Sequence, residues 1–167
     1  ISDDFSKDYD MVIHALNWLK LNDEEPEIGV HIRPTSPLRD PIVIDEAIKC
    51  FLNKPKATSL RSVHEMSESA YKTFEISKKG NLMPLLSEQN NIDSSNNPRQ
   101  MFPNTYIANG YVDILSSIYI RNFKSMHGDN VVPFLTAATT EVDEEDDFTY
   151  LKYLIDKNPN ILKKVFE

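Results

Sequence analysis

The chain has 167 residues, of which 40% are hydrophobic and 26% are charged, and its formal net charge is −8. Length and composition are typical of one globular domain with a core of its own. The negative charge argues against general binding to nucleic acid or to an anionic membrane. No apolar run reaches the roughly 18 residues of a membrane span. An anionic substrate would therefore need a local basic cluster or a metal ion.

The single cysteine and the few glycines limit the class of protein further. Cys50 cannot form an internal disulfide, and its place on an apolar helix face favours a buried thiol in a cytoplasmic protein. The four glycines do not form a glycine-rich phosphate loop. The sequence begins at Ile1 rather than at a methionine. If this is an α/β nucleotide enzyme, we expect its opening strand and phosphate loop to lie outside this sequence.

The first third of the chain alternates predicted helices and strands. Apolar residues at helical spacing predict an amphipathic helix over residues 8–20, with Ser6 as a capping hydroxyl before it. A predicted strand over 27–32 is followed by a helix over 41–53 and a second strand over 57–63. This alternation with short loops predicts a parallel sheet with crossover helices.

A stiff polar loop joins the first strand to the second helix. Residues 33–39 read RPTSPLR, here called the RPTSPLR loop, and its two prolines fix the backbone. Asp40 and Pro41 fit an N-cap and a first helical position. Open α/β sheets bind ligands beyond the carboxyl ends of their strands, so Arg33 and Arg39 are candidates for binding carboxylate or phosphate. The alternative is a surface loop with two solvated arginines.

The middle of the chain departs from this alternation. Polar and apolar residues alternate over 71–76, a turn follows at 78–81, and an apolar segment returns over 82–86. Residues 87–98 form a polar loop rich in Asn and Ser. Because an isolated hairpin is not stable, we expect this one to pack on another surface, and a second subunit is one candidate.

Three short polar segments are further candidates for binding. Arg99 and Gln100 offer donors suited to a polyhydroxylated ligand with a carboxylate. Asn109-Gly110 is a strong turn signal and adds an amide. Lys72 lies on the predicted hairpin. The alternatives are an ordinary loop and turn, and a solvated lysine.

An acidic run, residues 141–147 and here called the acidic segment, precedes the predicted helix near the C-terminus. Glu141 and Asp143 lie two residues apart, so an extended backbone would direct both carboxylates to one face. Two such oxygen ligands, together with substrate phosphates, are how Mg²⁺ is usually held. The alternative is that Asp143 caps the helix and residues 144–147 are first-turn acids. Both interpretations are open, and they can hold for different residues.

Taken together, the motifs resemble those of the acylneuraminate cytidylyltransferases, the CMP-sialic acid synthetase family. The resemblance extends over nearly the whole chain, and its most specific parts are the RPTSPLR loop and the pairing of Arg-Gln with Asn-Gly. The matching segments, in the order of the family, are Asp4-Phe5-Ser6 with His14-Ala15-Leu16, Arg33 to Arg39, Ala70-Tyr71-Lys72, Arg99-Gln100 with Asn109-Gly110, and Glu141-Val142-Asp143 with Asp147-Phe148.

The resemblance implies both a fold and a reaction. The fold would be a Rossmann-like α/β nucleotidyltransferase domain of the nucleotide-diphospho-sugar transferase type, with a mostly parallel sheet. Residues 1–167 would form one such domain, incomplete at its N-terminus, with a protruding hairpin region at 64–108 for dimerisation. The reaction would transfer CMP from CTP to the anomeric hydroxyl of a nine-carbon acidic sugar and release pyrophosphate, with Mg²⁺ as cofactor and a homodimer as the working form.

The resemblance also implies roles for individual residues. Arg33 would lie between nucleotide and sugar, and Arg33 and Asp143 would be the catalytic residues. Glu141 and Asp143 would hold Mg²⁺. Residues that would contact substrate are Ser6 on the nucleotide side and, for the sugar acid, Lys72, Arg99, Gln100 and Asn109.

Several positions depart from the family's pattern. Arg33 replaces the commoner Gln, Glu141 replaces the commoner Asp, and Asp113 stands where many members have Tyr. A changed sugar pocket favours a substrate other than N-acetylneuraminate, with legionaminic- and pseudaminic-type acids as candidates. Two alternatives remain: a cytidylyltransferase for an eight-carbon sugar acid, and a non-catalytic dimeric fragment or binding module of the same fold.

Overall fold

The computed structural model describes residues 7–86 and 91–166, so Ser6 lies outside the described residues. The helices are α1 (Asp8–Leu21), α2 (Pro41–Leu52), α3 (Ser117–Phe123), α4 (Glu145–Lys157) and α5 (Asn160–Phe166). The strands are β1 (Ile28–His31), β2 (Ser59–Glu65), β3 (Phe74–Ile76), β4 (Leu82–Pro84), β5 (Tyr106–Ser116) and β6 (Val131–Leu135). The helices predicted near residues 8–20 and 41–53 and the strands near 27–32 and 57–63 are confirmed within a few residues.

The main sheet is mixed rather than mostly parallel. In the described residues its strand order is β1-β5-β2-β6. β1 pairs antiparallel with β5, with His31 opposite Asp113, whereas β2 pairs parallel with β6, with Ser59 opposite Val131. β5 follows a long insertion instead of a crossover helix, and only parallel neighbours need such a crossover. The predicted α/β class is confirmed, and the predicted dominance of parallel pairs is corrected.

The start of α2 shows how local sequence fixes an element. The Asp40 side chain accepts a hydrogen bond from the Ile42 backbone N–H at 2.9 Å. Pro41 occupies the first helical position, where its missing N–H has no partner to lose. The predicted N-cap is thereby confirmed, and it sets where the RPTSPLR loop ends.

Two apolar clusters lie on opposite faces of β5. Alternation along the strand directs Val112 and Ile114 toward α2, where they pack with Ala47 and Phe51. The other cluster contains Leu16, Leu115 and Ile120 and joins α1 to α3. Cys50 is a half-buried free thiol packed against the first cluster.

The chain divides into two compact units. The first contains residues 1–63 and 109–167, and the second contains residues 64–108. In the second unit β3 and β4 form the predicted antiparallel hairpin, with Phe74 opposite Pro84. Residues 71 and 72, expected to be extended, instead belong to a 3₁₀ turn at Ala70–Lys72. This turn begins at Ser69, whose side chain accepts from the Tyr71 N–H at 3.3 Å. The dimerisation role of residues 64–108 stays a prediction.

Asn109-Gly110 is not a chain reversal. Both residues lie inside β5, and Gly110 has φ +62°. The turn prediction was wrong because the positive φ allows a close approach of other segments and does not form a hairpin.

None of the helices in residues 7–86 and 91–166 combines the length and apolar composition that crossing a membrane requires.

Candidate functional site

Arg39 holds the RPTSPLR loop against β5. Its guanidinium is buried and donates to main-chain carbonyls of two segments that are distant in sequence. On β5 the acceptors are Tyr111 O at 2.6 Å and Gly110 O at 2.9 Å, and within the loop they are the carbonyls of Arg33 and Ser36. Burial lowers the pKa of Arg39, partly offset by the nearby charge of Glu141. Neither role expected of Arg39 fits, because it is neither solvated nor available to a ligand.

Arg33 is the charged side chain of this loop that reaches the surface. It is about 35% exposed and forms an ion pair with Asp8 on α1, with 2.6 Å between Nη2 and Oδ2. This pair lies at the carboxyl end of β1. In such an exposed position the attraction contributes little stability, on the order of 1 kcal/mol or less, so an anionic ligand could compete with Asp8 for Arg33.

Gly110 is the point where two predicted site residues meet. A Cβ added to Gly110 would lie 2.6 Å from Glu141 Oε1 and 3.2 Å from Arg33 Cδ. Both side chains therefore pack on the space that a larger residue would fill. Glycine is required here for close approach and for its positive φ. The structure brings Arg33 and Glu141 together although 107 residues separate them in sequence.

Hydrogen bonds to backbone carbonyl groups hold the residues around Glu141 close to Gly110. The Val142 N–H donates to Thr35 O in the RPTSPLR loop at 2.7 Å. The Thr139 hydroxyl donates to Asn109 O on β5 at 3.0 Å. The RPTSPLR loop, the β5 residues around Gly110 and the start of the acidic segment therefore lie close together near the end of β1.

The start of α4 uses Glu144 and Asp147 rather than Asp143 as its capping residues. Asp147 accepts hydrogen bonds from the backbone N–H groups of Asp143 and Glu144, at 3.0 and 2.9 Å, and this lowers its pKa. Glu144 is the N-cap residue of α4. The side chains of Glu141 and Asp143 are exposed. Asp143 therefore contributes its N–H to the helix start, while its carboxylate is not the cap.

The donor set at Glu141 and Asp143 fits Mg²⁺ in kind. Both are carboxylates, which are hard oxygen ligands, and Mg²⁺ is commonly held by one or two carboxylates plus water and substrate phosphate. No group of three or more Asp, Glu, His or Cys in the described residues is arranged to hold a metal. Most of the coordination shell would then come from phosphate and water. Binding of Mg²⁺ here stays a prediction.

Asn109 is buried, and its side chain is used within the first unit. Its Nδ2 donates to Thr136 Oγ1 at 2.6 Å, and its Oδ1 accepts from the Tyr111 N–H at 3.3 Å. These bonds join β5 to the residue after β6 and support the kink at Gly110. The predicted contact of Asn109 with a sugar stays a prediction and would require the amide to exchange a partner.

The remaining predicted site residues lie in the second unit. Arg99 Nη2 donates to Glu65 Oε1 at 2.9 Å and to Met66 O at 3.0 Å. Lys72 Nζ lies 5.8 Å from the ring centroid of Phe102, which also stacks on Tyr71. The aromatic pair thus supports a lysine beside the turn that carries Arg99 and its neighbour Gln100.

A cavity of about 540 Å³ lies beside the converging segments. Its lining includes Ser36, Tyr111 and Thr139, together with Leu154 and Ile161 from the two C-terminal helices. Burial raises the pKa of the Tyr111 phenol, which keeps it neutral at physiological pH. A largely apolar wall does not suit a triphosphate, so we assign the candidate site to the polar surface around Gly110 instead.

Two features of the site escaped the sequence reasoning. The pairing of Asp8 with Arg33 and the internal role of Arg39 both join residues far apart in the chain. Locally, the sequence indicated only a rigid loop, from the prolines on either side of Thr35 and Ser36. It did not indicate which residues hold that loop in place.

Comparison with known proteins supports the fold. No protein-family model matches the chain, and no curated protein matches it in sequence. Among solved structures, it is similar to a CMP:2-keto-3-deoxy-manno-octonic acid synthetase complexed with CTP, with 11% identity and a TM-score of 0.62. The match covers 92% of this chain and 70% of that one. This likeness shows that the chain shares the α/β fold of that structure.

Proposed function

We propose that the chain belongs to a CTP-dependent cytidylyltransferase that transfers CMP to an acidic sugar. The proposal rests on one observation: the side chains of Arg33 and Glu141 both pack against Gly110, at the carboxyl end of β1. In an α/β fold this end of a strand is the usual position for a ligand. The fold likeness to a synthetase complexed with CTP supports the same reaction class.

The proposed reaction is an in-line phosphoryl substitution. The anomeric hydroxyl oxygen bonds to the α-phosphorus of CTP, the bond to the bridging oxygen of the β-phosphate breaks, and pyrophosphate leaves. The hydroxyl proton passes to a base. Arg33 would exchange Asp8 for the nucleotide and offset the negative charge that builds up between the substrates.

Glu141 and Asp143 are the proposed Mg²⁺ ligands. When bound, the ion would neutralise and align the phosphates. The exposed carboxylates of both residues are consistent with a metal that arrives with its nucleotide. Arg39 and Gly110 act indirectly, because they hold the surrounding backbone in place.

The sugar acid is proposed to bind through four side chains. Lys72 and Arg99 supply positive charge for its carboxylate, and Gln100 and Asn109 supply amide groups for its hydroxyls. Ser6 is proposed to approach the nucleotide. Homodimerisation through residues 64–108 is part of the proposal, and sedimentation of the purified chain at micromolar concentration tests it.

Two sugar classes each have a specific observation in their favour. The RPTSPLR loop and the Arg-Gln and Asn-Gly pairs favour a nine-carbon acid such as a sialic, legionaminic or pseudaminic acid. The similar solved structure is named for an octonic acid, which favours an eight-carbon acid. The alternative of a binding module of the same fold, without catalysis, is one outcome of the test below.

Pyrophosphate release tests these possibilities together. The chain is incubated with CTP, Mg²⁺ and a panel of eight- and nine-carbon sugar acids, and CTP binding is measured by calorimetry in parallel. Release with one acid, abolished by omitting that acid, supports the enzyme and identifies the substrate. CTP binding without release supports the binding module. Absence of both CTP binding and release contradicts the proposal for this chain.

A further inference from the structure

A buried acid on β5 has no part in the site described above. Asp113 is 3% exposed and lies directly opposite His31 on β1. Its Oδ2 is 3.9 Å from His31 Nδ1, and its Oδ1 is 3.6 Å from Arg61 Nε on β2. Because β5 lies between β1 and β2, one carboxylate faces a basic side chain on each neighbouring strand.

Both contacts are longer than hydrogen bonds, and the contact with Arg61 is an ion pair. Within residues 7–86 and 91–166, Asp113 Oδ1 and His31 Nδ1 are buried without a hydrogen-bond partner. A buried carboxylate is costly unless neighbouring charges or hydrogen bonds compensate for lost water. With no hydrogen bond at Oδ1, the compensation there falls on the charge of Arg61. Asp113 therefore has a basic side chain beside it on each neighbouring strand.

The strand end that Asp113 contacts through His31 is the one that leads to Arg33. His31 is the last residue of β1, and Arg33 follows two positions later. Arg33 Cδ packs against Gly110, which precedes Asp113 by three positions on β5. Arg33 Nε is buried. The β5 segment from Gly110 to Asp113 thus contacts both Arg33 and His31, which lies two positions before it.

The same groups also act on the nearby imidazole of His127. Burial lowers the pKa of His127, and the charges of Arg61, His31 and Arg33 lower it further, whereas Asp113 raises it. The basic groups of the cluster therefore act on a common neighbour, and Asp113 is the acid that opposes them there.

We infer that Asp113 is a positioning residue, whose carboxylate holds the end of β1 so that Arg33 meets the substrate in one orientation. The inference rests on the proposed function, in which Arg33 lies between nucleotide and sugar. Asp113 itself is too deeply buried to touch either substrate. Its effect on turnover must then pass through Arg33.

A double-mutant cycle distinguishes positioning from a general effect on folding. We expect Asp113→Asn to lower kcat/KM about tenfold and Arg33→Ala about a hundredfold, each factor of ten being about 1.4 kcal/mol. The double variant should be no slower than Arg33→Ala alone. Asp45→Asn, on the exposed surface of α2, is the matched control and should leave kcat/KM unchanged. A double variant slower by the product of the two single effects would overturn the inference.

A second readout does not depend on turnover. The buried Arg33 Nε–H should exchange slowly with solvent in nitrogen-15 NMR spectra, and Asp113→Asn should raise its exchange rate while Asp45→Asn does not. If Asp113→Asn fails to fold, Asp113→Asn/Arg61→Gln, which removes both opposed charges, takes its place and should show the same rise. Unchanged exchange overturns the inference. Faster exchange in a chain that shows no turnover supports positioning while contradicting the proposed function.

Discussion

The RPTSPLR loop and the acidic segment use their charges in parallel ways. In the loop, Arg39 is buried and bonded to main-chain carbonyls, whereas Arg33 reaches the surface. In the acidic segment, Asp147 accepts two backbone N–H groups, whereas the side chains of Glu141 and Asp143 are exposed. In each segment the charge close to the following helix serves the fold, and the charge close to the preceding strand remains available to a ligand.

This comparison separates residues that a motif groups together. Arg33 and Arg39 have the same side chain and lie six positions apart, yet only Arg33 is available for chemistry. What decides the difference is whether main-chain groups of another segment need the charge as a hydrogen-bond partner. Three predictions follow from this difference between structural and ligand-facing residues, given in order of decreasing expected effect.

The largest expected effect follows removal of the Arg39 guanidinium. Arg39→Met leaves main-chain carbonyls of the RPTSPLR loop and of β5 without their donor. Since buried polar groups without partners are costly, we expect the free energy of unfolding to fall by about 3 kcal/mol or more. Urea denaturation measures the change.

Arg39→Lys sharpens this prediction. Lysine keeps the charge but cannot reproduce the planar fork that reaches several carbonyls, so an intermediate loss is expected. If Arg39→Met changed the free energy of unfolding by less than about 0.5 kcal/mol, the size of an ordinary surface substitution, the internal role of Arg39 would be refuted.

A moderate effect is expected at the contact point of the two segments. Gly110→Ala forces a side chain into a positive φ, which costs roughly 1–2 kcal/mol, and moves Glu141 away from Arg33. We expect a corresponding fall in stability and a roughly tenfold fall in pyrophosphate release, or about 1.4 kcal/mol. Thermal unfolding and steady-state kinetics measure the two effects.

Gly80→Ala is the matched control for Gly110→Ala. Gly80 also has a positive φ, +81°, but no atom lies within 4 Å of the position of an added Cβ. It should therefore show the backbone strain without the loss of turnover. Equal turnover in the two variants would show that the close approach at Gly110 is unimportant for chemistry.

The smallest expected effect concerns the start of α4. The backbone bonds to Asp147 lower its pKa below the ordinary value of 3.8. The ionised carboxylate therefore stabilises the folded state above that pH, and the contribution is lost as the pH falls through the lower folded-state pKa. Asp147→Asn should lower the melting temperature slightly at pH 7, and the difference from the unsubstituted chain should close on acidification.

Asp156→Asn, at the exposed far end of the same helix, controls for loss of a negative charge. Its difference from the unsubstituted chain should not follow the same pH dependence. A difference at Asp147 that stays constant from pH 7 to pH 2 would argue against the capping role.

Elements whose causes are local could be predicted from the sequence. The start of α2 follows from Asp40 and Pro41, and the bounds of β6, Val131–Leu135, follow from a short apolar run. The pairing of β1 with β5 could not be predicted, because its register depends on residues more than 80 positions apart. Local propensity carries no information on such a pairing.

The same reason explains what was missed at the candidate site. Asn109-Gly110 carries a true signal for a positive φ, and sequence reasoning assigned it to the commonest use, a turn. The actual use, a close approach of Arg33 and Glu141, depends on two distant segments. Likewise, the sequence shows that Arg39 carries a positive charge, but it does not show what that charge binds. Its carbonyl acceptors on β5 lie 71 and 72 positions away.

We propose that Glu141 and Asp143 take part in catalysis, whereas Asp147 stabilises the start of α4. The most direct test is the rate of pyrophosphate release from CTP and the preferred sugar acid, with Mg²⁺, in Glu141→Gln, Asp143→Asn and Asp147→Asn. We expect a loss of about a hundredfold or more in the first two variants, or about 2.7 kcal/mol, and nearly unchanged turnover in the third. Retained turnover in Glu141→Gln and Asp143→Asn, or an equal loss in all three, would contradict it.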